Sequence, residues 1–477
     1  MLVLRAGTPG SPHLPMHRLQ VTSDDTDTFH PAQRSKVRPN VGYEIYLIAQ
    51  AFRRVRAYRR WLLRSSLLVW KLPCPLRKVV FDARPYLVFL FSTTVINRCG
   101  TVQHIAYLEH SIINPSGNTI MPLTEEQRRA LPELRAQFSG VMTEDVLGSS
   151  MPFDKRAHLP TEGIPDDITA HVEIAPPLST PFPLLDPIAL KQPEDVPVFF
   201  YSFRNENLVP VAPEDTKVIF YVHGGGNLAF HPTVIHYTTL FSAILRTLAM
   251  DAGDSVPCKV IAPCYRLATV PENTFPADLQ DILAAYDFVV SQGYKPSNIT
   301  LAGDSAGGNH GRRSDALPTC RIDSASCAAV VLTHLVLESN RPSPHGVIAI
   351  SPASIQVYDN LSEHAKAQAT NDLLTLSTYQ LTATAYIANT GFSPIDPLVS
   401  GSFITFTESW PKTLILIGTA DQLIDASKEL EKRLVALKRP VELVEYDERP
   451  HGWWLVKPIF GEEIQDAAQR IARFVLG

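Results

Sequence analysis

The sequence has no cysteine pair at C-x-x-C spacing, and its six cysteines are scattered over 477 residues. That pattern excludes a disulfide framework and a zinc site, and it predicts a reducing, intracellular setting such as the cytoplasm. An excess of one charge is missing too. The 43 basic and 48 acidic residues leave a net charge of −5, too small to imply a nucleic-acid partner or an acidic substrate. The opening apolar run, Met1 to Leu4, stops at Arg5 and Gly7, far short of a signal-peptide core, so secretion by that route is not expected. No later run reaches the ~20 apolar residues of a spanning helix. Tyr86 to Ile96 covers about half of that, and would anchor the chain only by tilting or borrowing neighbours. Glycine is scarce beside proline, 24 against 39, the reverse of ordinary usage, so much of the chain is extended, turned or looped. Internal repeats and heptads are absent.

What is present is an ordinary globular composition, 45% apolar and 19% charged, enough to bury a large core. Residues 1–40 are rich in Pro, Ser, Thr, Asp and His without an apolar period, and read as a disordered leader. From Tyr43 to about Lys71 a helical stripe appears (Ile48, Phe52, Val55, Tyr58, Leu62), loaded with Arg53, Arg54, Arg56, Arg59, Arg60 and Arg64. This 43–71 helix either docks on the protein with its arginines in water or lies on an anionic membrane surface as a peripheral contact. Residues 41–194 together read as a basic and apolar helical region with a proline-rich approach.

Past Val196 short β-branched runs alternate with helical stretches. Val218–Val222, Lys259–Ala262, Ile299–Ala302, Gly346–Ile350, Thr413–Ile417 and Val441–Tyr446 read as strands, with helices at Pro276–Gln292, Ala426–Leu437 and Glu462–Leu476. The alternation predicts an α/β fold with a mostly parallel sheet covered on both faces, and its ligand site at the carboxyl ends of the strands.

Two motifs fall at such ends. His223-Gly224-Gly225-Gly226 follows the first strand, and three bare glycines let backbone N–H groups converge on a negative oxygen. Gly303-Asp304-Ser305-Ala306-Gly307 follows Ile299–Ala302. A G-x-S-x-G turn from strand to helix holds its serine above the sheet on a strained backbone. The pentapeptide alone is weak, but the strand and the upstream glycine loop supply the context it needs. A serine hydroxyl requires a base and an orienting carboxylate downstream. Asp421 closes the strand over 413–417, and His451 lies in the loop after 441–446, completing the order Ser, Asp, His. Asp425 competes with Asp421, but it falls where the next helix starts and is expected to cap it.

Together these residues resemble the hormone-sensitive-lipase-like esterase branch of the α/β-hydrolase superfamily, whose marks are HGGG, GDSAGG, an aspartate after the next-to-last strand and a histidine in an H-G-aromatic loop. Tyr265-Arg266-Leu267-Ala268, then Pro271-Glu272 and Phe275-Pro276-Ala277, match a further segment of that branch. The resemblance covers about 195–477, the expected catalytic domain. It implies an α/β-hydrolase fold with a helical cap and hydrolysis of uncharged short- to medium-acyl esters, without cofactor or metal. Ser305 would be the nucleophile, His451 the base and then the acid, and Asp421 the orienting carboxylate. The oxyanion donors would be the N–H groups of Gly225, Gly226 and Ala306. Tyr43–Ile96 and Asp372–Thr390 are the candidates for covering the site. The same acyl-enzyme would also serve an acyltransferase, and the fold also hosts non-catalytic small-molecule receptors that have lost the histidine.

Two departures stand out. Asn227 replaces the usual aromatic after HGGG, which predicts a more polar pocket edge. His310 to Cys327 interrupts what should be a buried nucleophile helix with Arg312, Arg313 and Pro318. That stretch is either an authentic loop or a translated segment foreign to the mature message, such as an unspliced intron. The second is favoured, because removing it leaves a continuous helix after GDSAGGN.

Overall fold

The computed structural model describes most of the chain from Pro122 onward and four short strands before it. Residues 1–90, 97–101, 108–111, 114–118, 121, 142–151, 161, 180–183, 187–188, 205–211, 253–255, 306–327, 353–361, 376–384 and 394–395 lie outside the described set. The expected leader and the arginine-rich 43–71 helix fall there. No helix among the described residues is long and apolar enough to cross a membrane.

Strand β1 (Phe91–Ile96) pairs antiparallel with β2 (Val102–Tyr107), and β3 (Ile112–Ile113) with β4 (Thr119–Ile120). The C-terminal half of the Tyr86–Ile96 run is therefore a strand, not part of an anchor or a helical cover. Thr93, Thr94, Val95 and Ile96 are all β-branched and fit a pleated surface better than a helix. Helix α1 (Glu125–Val141) starts with a reciprocal cap that the sequence reading passed over. Thr124 Oγ1 accepts from Gln127 N at 3.1 Å, while Gln127 Oε1 accepts from Thr124 N at 2.9 Å. The one-turn α2 (Phe153–Arg156) follows, and a second short helix, α6, spans Glu363–Ala367.

An eight-stranded sheet forms the centre. It comprises β5 (Ile168–Ala175), β6 (Val196–Phe203), β7 (Lys217–Val222), β8 (Cys258–Pro263), β9 (Ile299–Asp304), β10 (Gly346–Ile350), β11 (Lys412–Gly418) and β12 (Val441–Tyr446). Its order is β12-β11-β10-β9-β7-β8-β6-β5. Only β6 runs antiparallel to its neighbours; all other pairings are parallel. The sheet thus takes in β5, from the proline-rich approach, which lies before the boundary expected at 195.

Both faces are covered, and strand alternation explains how. Val218, Phe220 and Val222 join the core beneath α4 (Ala277–Ser291), α5 (Ala328–Glu338) and α7 (Ile424–Ala436), whereas Ile219 and Tyr221 join the core beneath α3 (Ile235–Ala252) and α8 (Lys457–Leu476). Helix α8 packs because Phe460, Ile464, Ala467, Ala468, Ile471, Ala472 and Val475 repeat at helical spacing along one buried stripe. The sheet order reverses direction after β7, since β8 lies on one side of it and β9 on the other. The carboxyl ends of β7 and β9 are neighbours at that switch point, where open α/β sheets hold their ligands.

Candidate active site

Ser305 caps β9 with φ at 47°. A side chain there costs about 1–3 kcal/mol, a strain that the surrounding contacts must hold in place. One such contact is the Ser305 N–H, which donates to Ile350 O at 3.0 Å. The Ser305 hydroxyl lies 2.8 Å from Nε2 of His451, and Nδ1 of His451 lies 2.9 Å from Oδ2 of Asp421. Asp421 is fully buried, and its Oδ1 accepts the Leu423 N–H at 2.7 Å, which fixes the carboxylate. Burial works against an imidazolium at His451, but the charge and hydrogen bond of Asp421 outweigh it and raise the pKa above the ordinary 6.5. Three residues from three different strand ends thus form one hydrogen-bonded line.

Asp425 takes no part in that line. It stands in the first turn of α7, whose N-cap is Leu423, and its carboxylate accepts the N–H and hydroxyl of Ser362, both at 2.8 Å. The helix-capping role expected for it is therefore not the observed one; its partner comes from another segment.

The glycine loop after β7 is shaped by close approach. A Cβ at Gly224 would lie 2.6 Å from Oδ2 of Asp304, and one at Gly225 2.3 Å from Ala229 O, with φ of Gly225 at 107°. Gly226 also has positive φ. Asp304 anchors this loop. Its buried carboxylate accepts from Tyr221 Oη at 2.9 Å, Gly224 N at 3.0 Å, Tyr237 Oη at 3.0 Å and Trp454 Nε1 at 3.2 Å. Burial nonetheless pushes its pKa up to about 6, because four donors do not replace bulk water around the charge. His223 is buried and stacks on Tyr265 at 4.4 Å, and its Nδ1 bonds to Gly224 O at 2.8 Å; burial holds its pKa down to about 3. The neutral ring is a structural support for the loop.

The Tyr265-Arg266 segment acquires a reason here. Tyr265 donates to His223 O at 2.7 Å, and buried Arg266 pairs with Asp281 of α4 at 2.8 Å, so the segment braces the glycine loop from behind. Asn227, at φ 59°, is buried; its side chain bonds the Tyr386 hydroxyl, which donates to Asp278 Oδ2 at 2.8 Å. The polar edge expected at Asn227 is thus engaged within the protein. Ala306 and Gly307 lie outside the described residues, as does the 310–327 segment. Gly303, the remaining motif position, packs where a Cβ would stand 2.9 Å from Val222 O and 3.4 Å from Ala329 Cβ. Helix α5 is therefore already docked under the turn.

One residue of the site escaped sequence reasoning. Asp372, placed with the covering segment, is fully buried and accepts the N–H of His451 at 2.6 Å. It lies against the site instead of over it. No motif or periodicity marks it, because its partners in the site, Gln422 and His451, are more than forty residues away in the chain.

The sheet and its covering helices form the α/β-hydrolase fold. A family model described as the alpha/beta hydrolase fold matches residues 219–310 and 325–455, passing over 311–324 inside the interrupting segment. The match takes in just under half of the chain, which resembles the hormone-sensitive-lipase-like esterases of that fold. An acetyl-hydrolase of Streptomyces hygroscopicus is 29% identical over 251 residues, 53% of this chain and 73% of that protein. An esterase of Acinetobacter venetianus is 26% identical over 303 residues, 61% and 85% of the two chains. Among solved structures, an esterase of the bacterial hormone-sensitive lipase family aligns with a TM-score of 0.51 at 24% identity, over 74% of this chain and 98% of that one. Carboxyl esterase 2 of the fungus Tuber melanosporum aligns with a TM-score of 0.53 at 16% identity, over 74% and 99%. These structural likenesses speak for the fold.

Proposed function

We propose that the chain is a serine carboxylesterase that cleaves uncharged short- to medium-acyl esters through an acyl-serine intermediate, without a cofactor. The observation that carries this reading is the line from Ser305 Oγ through His451 to Asp421, with contacts of 2.8 and 2.9 Å. The esterase and acetyl-hydrolase names of the relatives support it.

Ser305 Oγ attacks the acyl carbon as its proton passes to Nε2 of His451, and Asp421 stabilises the imidazolium that results. The carbonyl oxygen becomes an oxyanion facing the N–H groups of Gly225 and Gly226, with Ala306 as the third donor. Losing one such donor costs about 3 kcal/mol of transition-state stabilisation. Collapse breaks the ester C–O bond, and the alcohol leaves with the proton from His451. Water then repeats the sequence on the acyl-Ser305 ester and restores the enzyme. Labelling with a fluorophosphonate probe tests the reading: the full chain is labelled and Ser305→Ala is not. Equal labelling of both removes Ser305 as the nucleophile.

A further inference from the structure

We infer that Asp372 is a positioning residue of this site, a second buried carboxylate that ties the loop of Asp421 to the loop of His451; the inference rests on the catalytic reading of those residues. Its Oδ1 accepts from His451 N at 2.6 Å and Leu374 N at 3.3 Å. Its Oδ2 accepts from Gln422 N at 2.8 Å and Gln422 Nε2 at 3.3 Å. Gln422 follows Asp421 directly, so one carboxylate holds the backbone on which the acid is mounted and the backbone on which the base is mounted. The two loops leave different strands, β11 and β12. Their N–H groups here are buried, and a buried donor without a partner is costly. A shared acceptor therefore fixes the spacing between the loops, while the Asp421–His451 bond sets only the direction of the ring.

The segment bearing Asp372 is itself held from outside. Arg135 of α1 donates to Ala369 O and Thr370 O, each at 2.5 Å. The same helix reaches the histidine loop, where Arg128 pairs with Glu448 at 2.7 Å and Leu123 N donates to Glu448 at 3.1 Å. Helix α1 and Leu123 just before it thus link the segment that bears Asp372 to the histidine loop, which Asp372 itself also holds.

The charge of Asp372 adds a second effect. The charged groups facing it are the Asp421 carboxylate and the His451 imidazole. Burial first, and then the Asp421 charge, push its pKa up to about 7, against the pull of His451. His451 in turn is raised by Asp421, Asp372 and Asp304. A neutral residue at 372 removes one of those anions, so His451 titrates at lower pH. Asp372→Asn also sets an amide N–H2 against a backbone N–H, which breaks one end of the tie.

The test compares Asp372→Asn, Asp372→Glu and Ser305→Ala in the full chain, by ester hydrolysis from pH 5 to 9 (about the range over which His titrates) and by the rate of fluorophosphonate labelling. Asp372→Asn is expected to lose about 10²-fold in kcat with KM little changed, as for a misplacement of about 1 Å, and its acid limb moves to lower pH. Asp372→Glu retains the charge, so its limb stays in place while kcat falls. Wild-type kcat and limb in Asp372→Asn, whatever its melting temperature, would overturn the inference. Should Asp372→Asn fail to fold, wild-type kcat in Asp372→Glu overturns it and reduced kcat with unchanged KM upholds it. Labelling retained in Ser305→Ala sinks the catalytic reading and this inference with it. Labelling lost there, beside wild-type behaviour at 372, sinks this inference alone.

Discussion

Replacing Asp304 separates the cost of a buried charge from the work that charge does. Four donors converge on its carboxylate, at 2.9, 3.0, 3.0 and 3.2 Å, in a site that is 2% exposed. The rise of its pKa from 3.8 to about 6 corresponds to about 3 kcal/mol against the ionised form in the folded state. Asp304→Asn removes that penalty and keeps an oxygen for Tyr221 and Gly224. On the other side the Tyr237 hydroxyl can turn to accept, but the Trp454 N–H is donor only and faces another N–H, at about 1–3 kcal/mol. The two effects nearly cancel, so Asp304→Asn is expected within about 1 kcal/mol of wild type. Asp304→Ala takes the carboxylate acceptor from Tyr221, Tyr237 and Trp454, while Gly224 N keeps the Tyr237 hydroxyl at 2.9 Å, and is expected to cost about 2–4 kcal/mol, allowing for relaxation. Because Gly224 N loses one of its two acceptors, kcat also falls in Ala and much less in Asn. Urea unfolding followed by tryptophan fluorescence, with ester hydrolysis on the same samples, measures both. If Ala matches Asn in stability and kcat, the carboxylate does not hold the glycine loop.

The pH dependence carries its own sign. His451 must be neutral to accept a proton, and its pKa is held above 6.5, so kcat/KM should fall as pH drops through a midpoint above 6.5; a midpoint at or below 6.5 contradicts this. Asp421→Asn should lose about 10⁴-fold in kcat by favouring the wrong tautomer. Asp425→Ala, which releases only Ser362, should cost about 1 kcal/mol of stability and leave kcat nearly unchanged; the reverse ranking would exchange the two carboxylates. Deleting 311–324, the stretch that the family match passes over, should preserve or raise fluorophosphonate labelling. Loss of labelling in a folded deletion variant, or the segment's presence in every mature transcript, would make it an integral part of the protein.

Much of the fold was legible because its signals are local. The six expected strands each appear within two residues of their predicted ends, since short β-branched runs between turns admit few other buried conformations. The glycine loop after β7 and Ser305 at the end of β9 stand at strand ends for the same reason. The α1 cap was missed although Thr124 and Gln127 carry its spacing; a proline-rich surrounding masked it. The β5 strand, Ile168–Ala175, was missed because as an edge strand it is only partly buried and lacks a continuous apolar run.

By itself the sequence determined which residues can react: a serine on a strained turn, a glycine loop that can gather N–H groups, and a histidine and an aspartate at later strand ends. Those are properties of short segments, set by backbone sterics and by side-chain chemistry. The tertiary structure alone decided what braces the glycine loop and where Asp372 stands. Each of these is a contact between segments far apart in the chain, and no local pattern encodes the order in which strands assemble. Scarce glycine proved sufficient because the site needs it at only a few positions, where one backbone passes too close to another for a Cβ.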